Sequence, residues 1–192
     1  MHLIQEHGIP TSYLEIKNET EKLGFNMPSE ILVCALLKTL AATKPNCKFL
    51  ELGTGTGLST AWILEGLQGN SKLTSIDNDP ELLEIAKKHL TSNPRLRLIC
   101  ADAEEWIDEN KEQKYDFIFA DTWHGKYFSL EETLQMLKPG AIYFIDDMLP
   151  QENWPEGHET KANELIKNLN DRQDLVISNL GWASGVLIAT KI

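Results

Sequence analysis

A glycine-rich turn with the sequence Glu51-Leu-Gly-Thr-Gly-Thr-Gly57 joins the apolar run Phe49-Leu50 to a helix-like segment, Leu58 to Leu64. Three alternating glycines let the backbone approach a ligand closely, where any Cβ atom would collide. The spacing differs from the G-x-G-x-x-G pattern of NAD-binding proteins, because the third glycine follows the second by two residues rather than three. The turn therefore predicts a strand, a tight turn and a helix, either with a nucleotide-type ligand or with no ligand at all.

An acidic residue follows the next predicted strand. Leu73 to Ile76 reads as a short strand that ends at Asp77, and a helix from Pro80 to Leu90 begins with Pro and Glu. A carboxylate at such a strand end can accept hydrogen bonds from both ribose hydroxyls of an adenosine. The alternative is that Asp77, Asn78 or Asp79 only caps the helix.

The third predicted strand, Leu96 to Cys100, leads to Ala101-Asp102-Ala103. The Asp102 carboxylate could reach the amine of an adenine from this strand end. It could equally cap the helix that contains Trp106, so the sequence leaves both roles open.

Five motifs occur together and in a characteristic order from about residue 47 to the C-terminus. They are Glu51-Leu-Gly-Thr-Gly-Thr-Gly57, Ser75-Ile-Asp-Asn-Asp79, Ala101-Asp-Ala103, Tyr115-Asp-Phe-Ile-Phe-Ala-Asp121 and Leu137-Lys-Pro-Gly-Ala-Ile-Tyr-Phe-Ile-Asp146. With them the chain resembles the Rossmann-like S-adenosylmethionine-dependent methyltransferases. Within that superfamily it is most similar to the catechol-type O-methyltransferases, through Asp121-Thr-Trp123 and Asp146-Asp147.

The resemblance implies S-adenosylmethionine as cofactor and S-adenosylhomocysteine as product. It places the cofactor contacts on the glycine turn and on the ends of the next three strands. The predicted cofactor-binding residues are Glu51, Gly53, Thr54, Gly55, Gly57, Asp77, Asn78, Asp102, Ala103, Asp121 and Trp123.

The order of the predicted elements indicates an α/β fold. From Lys48 onward short β-rich runs alternate with helical ones, which predicts a mostly parallel sheet with helices on both faces. The resemblance implies a Rossmann-like methyltransferase sheet of seven strands whose last strand is antiparallel. The predicted strands are Lys48 to Leu52, Lys72 to Asp77, Leu96 to Cys100, Tyr115 to Ala120, Ala141 to Ile145, Leu175 to Ser178 and Gly185 to Ala189.

We expect one domain of residues 1–192, with a core of residues 47–192 behind a helical N-terminal extension of residues 1–46. In this extension, Ser29 is expected to cap an apolar helix from Ile31 to Ala41. A further helix is expected near Glu159 to Leu169.

Three carboxylates are expected at the ends of the fourth and fifth strands, on Asp121, Asp146 and Asp147. Three neighbouring carboxylates repel one another, which costs electrostatic free energy unless a cation or a proton lies between them. Their oxygen atoms suit Mg²⁺, or alternatively Mn²⁺ or Ca²⁺, as ligands. In the catechol-type family the corresponding positions are two aspartates and an asparagine that hold a divalent ion. Asp147 departs from that pattern by adding one negative charge. The identity of the metal, and whether a metal is required, therefore stay open. Alternatively, Asp146 or Asp147 could order the following loop, and Asp121 could act as a cap or face solvent.

The chemistry of methyl transfer needs a positioned and deprotonated oxygen nucleophile. The family's catalytic lysine would fall on the third residue after Asp121, where this chain has His124, with Lys126 two residues later. A histidine can accept a proton near neutral pH, so His124 is narrowly favoured over Lys126. Either residue could instead be structural or solvated.

Aromatic side chains surround the expected acceptor site: Trp123, Tyr127, and, with the loop Met148 to His158, Trp154 and His158. They could wall a pocket for a phenolic or other aromatic hydroxyl compound, or they could anchor the loops on the sheet. Trp182 has the same two interpretations.

Composition restricts the other classes of function. The net charge of −11 disfavours nucleic acid as a substrate. We find neither a signal peptide nor a membrane-spanning run, so we expect a cytoplasmic protein without a membrane partner. Cys34, Cys47 and Cys100 are expected to be buried free thiols in a reducing compartment. A homodimer is compatible with the sequence, which does not define the oligomeric state.

The function predicted from the sequence is transfer of a methyl group from S-adenosylmethionine to a hydroxyl of a small, aromatic or phenolic molecule, assisted by a divalent cation. The first alternative is a metal-independent methyltransferase that acts on an oxygen, nitrogen or carbon atom. A non-catalytic cofactor-binding protein and a nicotinamide-dependent oxidoreductase are alternatives from other classes, and the glycine spacing argues against the oxidoreductase. We expect His2, His7 and His89 to be exposed to solvent.

Overall fold

The computed structural model describes residues 8–151 and 153–192. A seven-stranded sheet with the order β3-β2-β1-β4-β5-β7-β6 forms the centre of the molecule. The strands are β1 Lys48–Leu52, β2 Lys72–Asp77, β3 Leu96–Cys100, β4 Tyr115–Ala120, β5 Leu137–Ile145, β6 Leu175–Leu180 and β7 Val186–Lys191. The helices are α1 Tyr13–Leu23, α2 Ile31–Ala42, α3 Leu58–Gly66, α4 Pro80–Leu90, α5 Ala103–Asn110, α6 Leu130–Gln135 and α7 His158–Asn170.

The sheet is parallel from β3 through β5, and β7 runs antiparallel to both of its neighbours, β5 and β6. The predicted Rossmann-like fold with an antiparallel last strand is confirmed. The strand order reverses between β1 and β4, and this is the edge at which ligands bind in open α/β sheets.

Three strands differ from the prediction in their bounds. Strand β5 begins at Leu137 instead of Ala141, because Leu137 pairs with Tyr115 before a register shift. Strand β6 ends at Leu180 instead of Ser178, and β7 spans Val186–Lys191 instead of Gly185 to Ala189, because Leu180 pairs with Val186 and Leu175 pairs with Lys191. This pairing is a long-range contact between strands that local turn signals do not report.

Two buried clusters lie on the two faces of the sheet. Leu50, Leu52 and Ile118 belong to one, together with side chains of α5 and α7. Phe49 and Phe117 belong to the other, together with side chains of α1 to α4. Neighbouring strand residues point to opposite faces, so a continuous apolar run in a central parallel strand supplies both clusters.

Two helix starts show which predicted capping residues cap a helix in the structure. Asp79 caps α4 by accepting from the backbone N–H groups of Glu81, at 2.8 Å, and Leu82, at 3.2 Å, which leaves Asp77 for the glycine turn. The prediction that Ser29 caps α2 is wrong. Glu30 precedes α2 without a side-chain cap, and the Ser29 hydroxyl donates to Asp121 Oδ2 at 3.0 Å instead.

His89 is not exposed as predicted. Its side chain is only 10% exposed, and its Nε2 lies 2.8 Å from Glu19 Oε1 where α1 packs on α4. Of the three cysteines only Cys34 is buried, whereas Cys47 is half-buried and Cys100 is exposed. The expected buried thiols are thus wrong for two positions.

Several expectations remain untested. His2 and His7 lie outside the described residues. Among residues 8–151 and 153–192, none of the helices has the length and apolar character needed to span a bilayer. The single domain, the cytoplasmic location and the homodimer stay predictions.

Candidate active site

A cavity of about 830 Å³ opens at the carboxyl ends of the central strands. One part of its wall is the glycine turn with the residues that follow β2 and β3. Another part consists of the residues that follow β4 and β5. The predicted site residues in the wall are Gly53, Thr54, Gly55, Asp77, Asn78, Asp102, Ala103, Asp121, Trp123, His124, Lys126, Asp146 and Asp147.

The glycine turn is held by close backbone contacts and by Asp77. A Cβ atom on Gly53, whose φ is 101°, would lie 2.8 Å from the backbone oxygen of Asp121. On Gly57 it would lie 2.9 Å from Leu90. Gly57 is therefore required for packing on α4 and is not among the residues that line the cavity, and its predicted contact with the cofactor stays a prediction.

The Asp77 carboxylate supports the turn directly. Its Oδ2 accepts a hydrogen bond from the backbone N–H of Gly55 at 2.7 Å, and its Oδ1 accepts from the N–H of Asp79 at 3.0 Å. Asp77 also lines the cavity. The same side chain therefore shapes the turn and faces the space in which a cofactor would lie.

Glu51 does not face the cavity, so its predicted contact with the cofactor is wrong in this geometry. It is completely buried, and its two oxygens accept hydrogen bonds from Ser59, Thr60 and Ser75 at 2.5–2.7 Å. Burial raises the pKa of Glu51 to about 7. Glu51 thus joins β1 to β2 and to the first turn of α3.

Ser59 is a cavity residue that the sequence interpretation missed. It is buried in the first turn of α3, lines the cavity and donates its hydroxyl proton to Glu51 Oε1. A signal was present, because a polar residue in the first helical turn after a glycine turn can contact an anionic ligand group.

The segment between α1 and α2 forms a second missed part of the wall, residues 25–30. A Cβ atom on Gly55 would lie 3.7 Å from the Phe25 ring, and Thr20 on α1 donates to the Thr56 hydroxyl at 2.7 Å. These contacts couple the N-terminal helices to the glycine turn. Residues so distant in sequence have no local signal of this contact.

The Asp121, Asp146 and Asp147 carboxylates line the same part of the cavity, and each accepts a hydrogen bond. Asp121 Oδ2 accepts from Ser29, and Asp146 Oδ1 accepts from Ser184 and from the N–H of Asp147. Asp147, at a φ of 63°, accepts from Trp154 Nε1 at 2.9 Å through Oδ2. The other oxygen of each carboxylate has no hydrogen-bond partner among the residues that the structure describes.

Burial and, as a smaller effect, the neighbouring Asp146 carboxylate raise the pKa of Asp121 to about 8. Burial also raises the pKa of Asp146. A carboxyl whose pKa is raised on folding contributes stability at low pH, and this contribution is lost as the pH rises through the folded value.

We therefore expect the free energy of unfolding, measured with urea in chelator buffer, to fall as the pH rises from about 4 to about 8, between the ordinary pKa of an aspartate and the raised value of Asp121. Asp121→Asn should make the free energy of unfolding depend less steeply on pH, because it removes one buried carboxyl group that ionises in this range. The pKa of Glu51 is also raised, to about 7, so part of the pH dependence should remain in this variant. Asp171→Asn, at an exposed position, is the control and should leave the slope unchanged. An unaltered slope in Asp121→Asn would contradict this assignment.

A compact set of metal-ligating atoms includes two other residues of the cavity wall, Asp102 and His124, together with Glu104, which does not line the cavity. Within the described residues, the ligand atoms of Asp102, Glu104 and His124 all lie within 4.8 Å of one another, whereas the three predicted aspartates do not form such a set. Asp102 Oδ1 also caps α5 by accepting from the N–H groups of Glu104 and Glu105. His124 therefore lies beside the strand end of β3, where the adenine contact was predicted.

Lys126 occupies the place that was expected of His124. Its side chain is buried, lines the cavity and donates from Nζ to the backbone oxygen of Asp146 at 2.8 Å. Its positive charge lowers the pKa of both Asp121 and Asp146, although burial outweighs this effect. The structure thus brings Lys126, and not His124, to the acidic residues after β4 and β5.

Aromatic rings wall the cavity beside these carboxylates. Trp154 stacks on His158 with ring centroids 4.3 Å apart, and Trp123 meets His158 edge to face at 5.6 Å. Tyr127 also contacts both Trp123 and His158. Trp182, the other ambiguous aromatic residue, is exposed and does not line the cavity.

A family model described as "Methyltransferase domain" matches residues 50–148. A relative from Mycobacterium ulcerans, named as a candidate O-methyltransferase, is 38% identical over 169 residues, which cover 83% of this chain and 75% of that protein. The chain matches other mycobacterial relatives with the same name over about half of their length.

Solved structures confirm the fold. An O-methyltransferase from Bacillus cereus, in complex with SAH, superposes with a TM-score of 0.85 at 16% identity and covers 100% of this chain and 94% of its own. An O-methyltransferase from Streptomyces achromogenes, involved in tomaymycin synthesis and in complex with SAM, gives a TM-score of 0.82 at 16% identity over 99% and 92% of the two chains.

Proposed function

Since the chain belongs to the S-adenosylmethionine-dependent O-methyltransferase family, we propose that it methylates a hydroxyl of a small aromatic or phenolic molecule with the assistance of a divalent cation. The observation that supports this proposal is that the glycine turn and Asp77 line the same cavity as Asp121, Asp146 and Lys126. A cofactor on the turn would direct its methyl group towards these groups.

In the proposed reaction an acceptor oxygen attacks the methyl carbon of the sulfonium. The new O–C bond forms with an oxygen electron pair as the S–C bond breaks, and the sulfonium becomes the thioether of S-adenosylhomocysteine. The hydroxyl proton must leave before or during this step. Lys126, buried beside the acidic residues, is the better placed of the two predicted bases, because a ring nitrogen of His124 instead lies within 4.8 Å of carboxylate oxygens of Asp102 and Glu104.

The aromatic wall supports a planar acceptor. Trp123 and Trp154 line the cavity. The Trp123 ring meets His158 edge to face, and the Trp154 ring stacks on His158. Aromatic side chains favour such stacked and edge-to-face contacts with another ring. A phenolic acceptor would therefore complete an existing aromatic cluster.

The donor set after β4 and β5 fits a hard divalent ion. Asp121, Asp146 and Asp147 supply only oxygen ligands. Each carboxylate has one oxygen without a hydrogen-bond partner in the described part of the chain. Among the described residues, Lys126 is the one cation that lowers the pKa of Asp121 and Asp146. An ion held by these residues would orient the acceptor hydroxyl and lower its pKa.

A metal-independent methyltransferase is the second candidate, and the position of Lys126 favours it. The lysine already supplies one buried positive charge beside Asp121 and Asp146. The ligand atoms of the three aspartates also do not lie within 4.8 Å of one another.

Assay of a panel of phenols with methyl-labelled S-adenosylmethionine, with and without chelator, tests both candidates. Label transfer that chelator abolishes and Mg²⁺ restores would support the proposal. Full transfer in chelator after metal stripping would replace it with the metal-independent candidate. The absence of transfer to any phenol, despite binding of S-adenosylhomocysteine, would contradict the acceptor class.

Variants of the two basic residues test the assignment of the base. We expect Lys126→Met to lower turnover by about a hundredfold or more, because the proton acceptor is removed. His124→Ala is the matched comparison and should change turnover by only a few fold. The opposite pattern would assign the role to His124. Calorimetry with S-adenosylhomocysteine checks that each variant keeps its cofactor site.

A further inference from the structure

An indole in the cavity wall holds a carboxylate of the same wall. The Nε1–H group of Trp154 donates a hydrogen bond of 2.9 Å to Oδ2 of Asp147, and both residues line the cavity. The Trp154 ring also stacks on His158, with the ring centroids 4.3 Å apart. The stacked ring thus directs its one polar atom at one oxygen of Asp147.

The main chain of Asp147 is constrained as well. Its φ of 63° lies in the left-handed region, and its backbone N–H donates to Asp146 Oδ1 at 2.7 Å. A non-glycine residue in this region is held there by the surrounding structure, and such residues cluster at functional sites. The backbone does not explain why the residue is an aspartate, because asparagine tolerates the left-handed conformation equally well.

A negative charge at this position is unfavourable by itself. Asp147 lines the cavity together with Asp121 and Asp146. Burial raises the pKa of Asp121 and Asp146, and the Asp147 charge adds a smaller increase to each. Asparagine has the same shape without the charge, and it would remove this repulsion. The carboxylate therefore calls for a contact that asparagine could not provide.

The hydrogen bond from Trp154 explains the need for a carboxylate. An indole nitrogen only donates, so its partner has to supply an oxygen. Asp147 has two oxygens: Oδ2 binds Trp154, and Oδ1 has no hydrogen-bond partner within residues 8–151 and 153–192. An asparagine that gave its single oxygen to Trp154 would present an NH₂ group in place of Oδ1. Only an aspartate can bind Trp154 and still offer a second acceptor oxygen.

We infer that Trp154 is a positioning residue for methyl transfer: its indole N–H fixes Asp147 Oδ2 and leaves Oδ1 as the oxygen that acts on the methyl acceptor. Trp154 is also the reason that residue 147 carries a charge. Without the indole, an asparagine at position 147 could turn its own oxygen towards the acceptor. This inference rests on the proposed function, because it assigns Asp147 to the acceptor part of the same cavity.

A double-mutant cycle tests the pair through turnover of the best phenol of the panel. Asp147→Asn alone should lower turnover by about tenfold or more, because the amide presents a donor where Oδ1 acted. Trp154→Phe keeps a ring that can stack on His158, and it should have a smaller effect. The double variant should recover to the level of Trp154→Phe alone, because the asparagine oxygen is released.

Two results of this cycle would overturn the inference. One is wild-type turnover in Asp147→Asn, and the other is a double variant that is no more active than Asp147→Asn. The matched control combines Trp182→Phe with Asp147→Asn, because Trp182 is exposed and does not line the cavity. This variant should stay as low as Asp147→Asn, and its recovery would also overturn the inference. Calorimetry with S-adenosylhomocysteine checks the cofactor site of every variant.

Nuclear magnetic resonance of the indole groups provides a readout that needs neither turnover nor a functional variant. In the wild-type protein, Nε1–H of Trp154 should exchange with solvent at least about tenfold more slowly than Nε1–H of Trp182, because it is bonded to Asp147. The tryptophan-to-phenylalanine variants assign the two signals. Equal exchange rates would overturn the inference.

Failure of the proposed function would look different from failure of the inference. If the function is wrong, the wild type methylates no phenol, although the Trp154 indole is protected from exchange. If only the inference is wrong, the wild type methylates a phenol, but removal of the indole does not restore turnover to Asp147→Asn.

Discussion

Replacement of Asp146 or Asp121 by alanine is expected to lower turnover by about a hundredfold to a thousandfold, which is the usual effect of removing one charge-stabilising group from an active site. Both carboxylates line the cavity, and burial raises the pKa of each. Whether they hold a divalent ion or orient Lys126, the acceptor oxygen would lose its electrostatic support. Turnover is measured with the best phenol of the panel at saturating S-adenosylmethionine.

Cofactor binding should change little in these variants, because the proposed role of the carboxylates is at the acceptor. Asp108→Ala, at an exposed position on α5, makes the same chemical change away from the cavity and should retain normal turnover. Thermal melting checks for loss of the hydrogen bonds from Ser29 to Asp121 and from Ser184 to Asp146. Turnover near the wild-type value in both Asp146→Ala and Asp121→Ala would contradict the proposed active site.

Replacement of Asp77 by alanine is expected to weaken the binding of S-adenosylhomocysteine by about a hundredfold. The carboxylate accepts hydrogen bonds from the N–H groups of Gly55 and Asp79, and it faces the cavity where the ribose was predicted. The variant would lose the two predicted hydrogen bonds from the ribose hydroxyls to the carboxylate. At about 1.5 kcal/mol for each bond to a charged group, this loss corresponds to a factor of about a hundred. Isothermal titration calorimetry measures the change.

The neighbouring Asp79→Ala provides a matched control. Asp79 caps α4, so its removal should lower the free energy of unfolding by about 1 kcal/mol and leave the affinity for S-adenosylhomocysteine within a few fold. If Asp77→Ala binds the cofactor product as tightly as the wild type does, the predicted ribose contact is wrong. If both variants lose affinity equally, the loss comes from the helix start rather than from the ribose contact.

Residues close in sequence to a strand end were placed well by prediction. The boundaries of β1 to β4 and of α4 agree with the expected ones, because apolar runs, the glycine turn and the Pro80 helix start are local signals. Asp77 and Asp121 line the cavity as expected, since the carboxyl ends of parallel strands share one edge of the sheet. Their binding roles stay predictions.

The errors concern side chains whose partners are distant in sequence. Ser29 was expected to cap α2, but it bonds to Asp121, 92 residues away. Glu51 was expected to face a cofactor, but the hydroxyls of Ser59, Thr60 and Ser75 enclose it. The direction of a side chain depends on packing between elements, and a local pattern does not contain this information.

The sequence by itself therefore determined the α/β fold, the position of the cofactor turn and the family, because each depends on short motifs in a defined order. Only the tertiary structure decided that Lys126 lies beside Asp146 while His124 lies beside Asp102 and Glu104. The two candidate bases are two residues apart in one loop, so spacing alone could not separate them. The physical reason is that packing between elements places Lys126 beside the residue that follows β5 and His124 beside the residue that follows β3, and this packing has no local signal in the sequence.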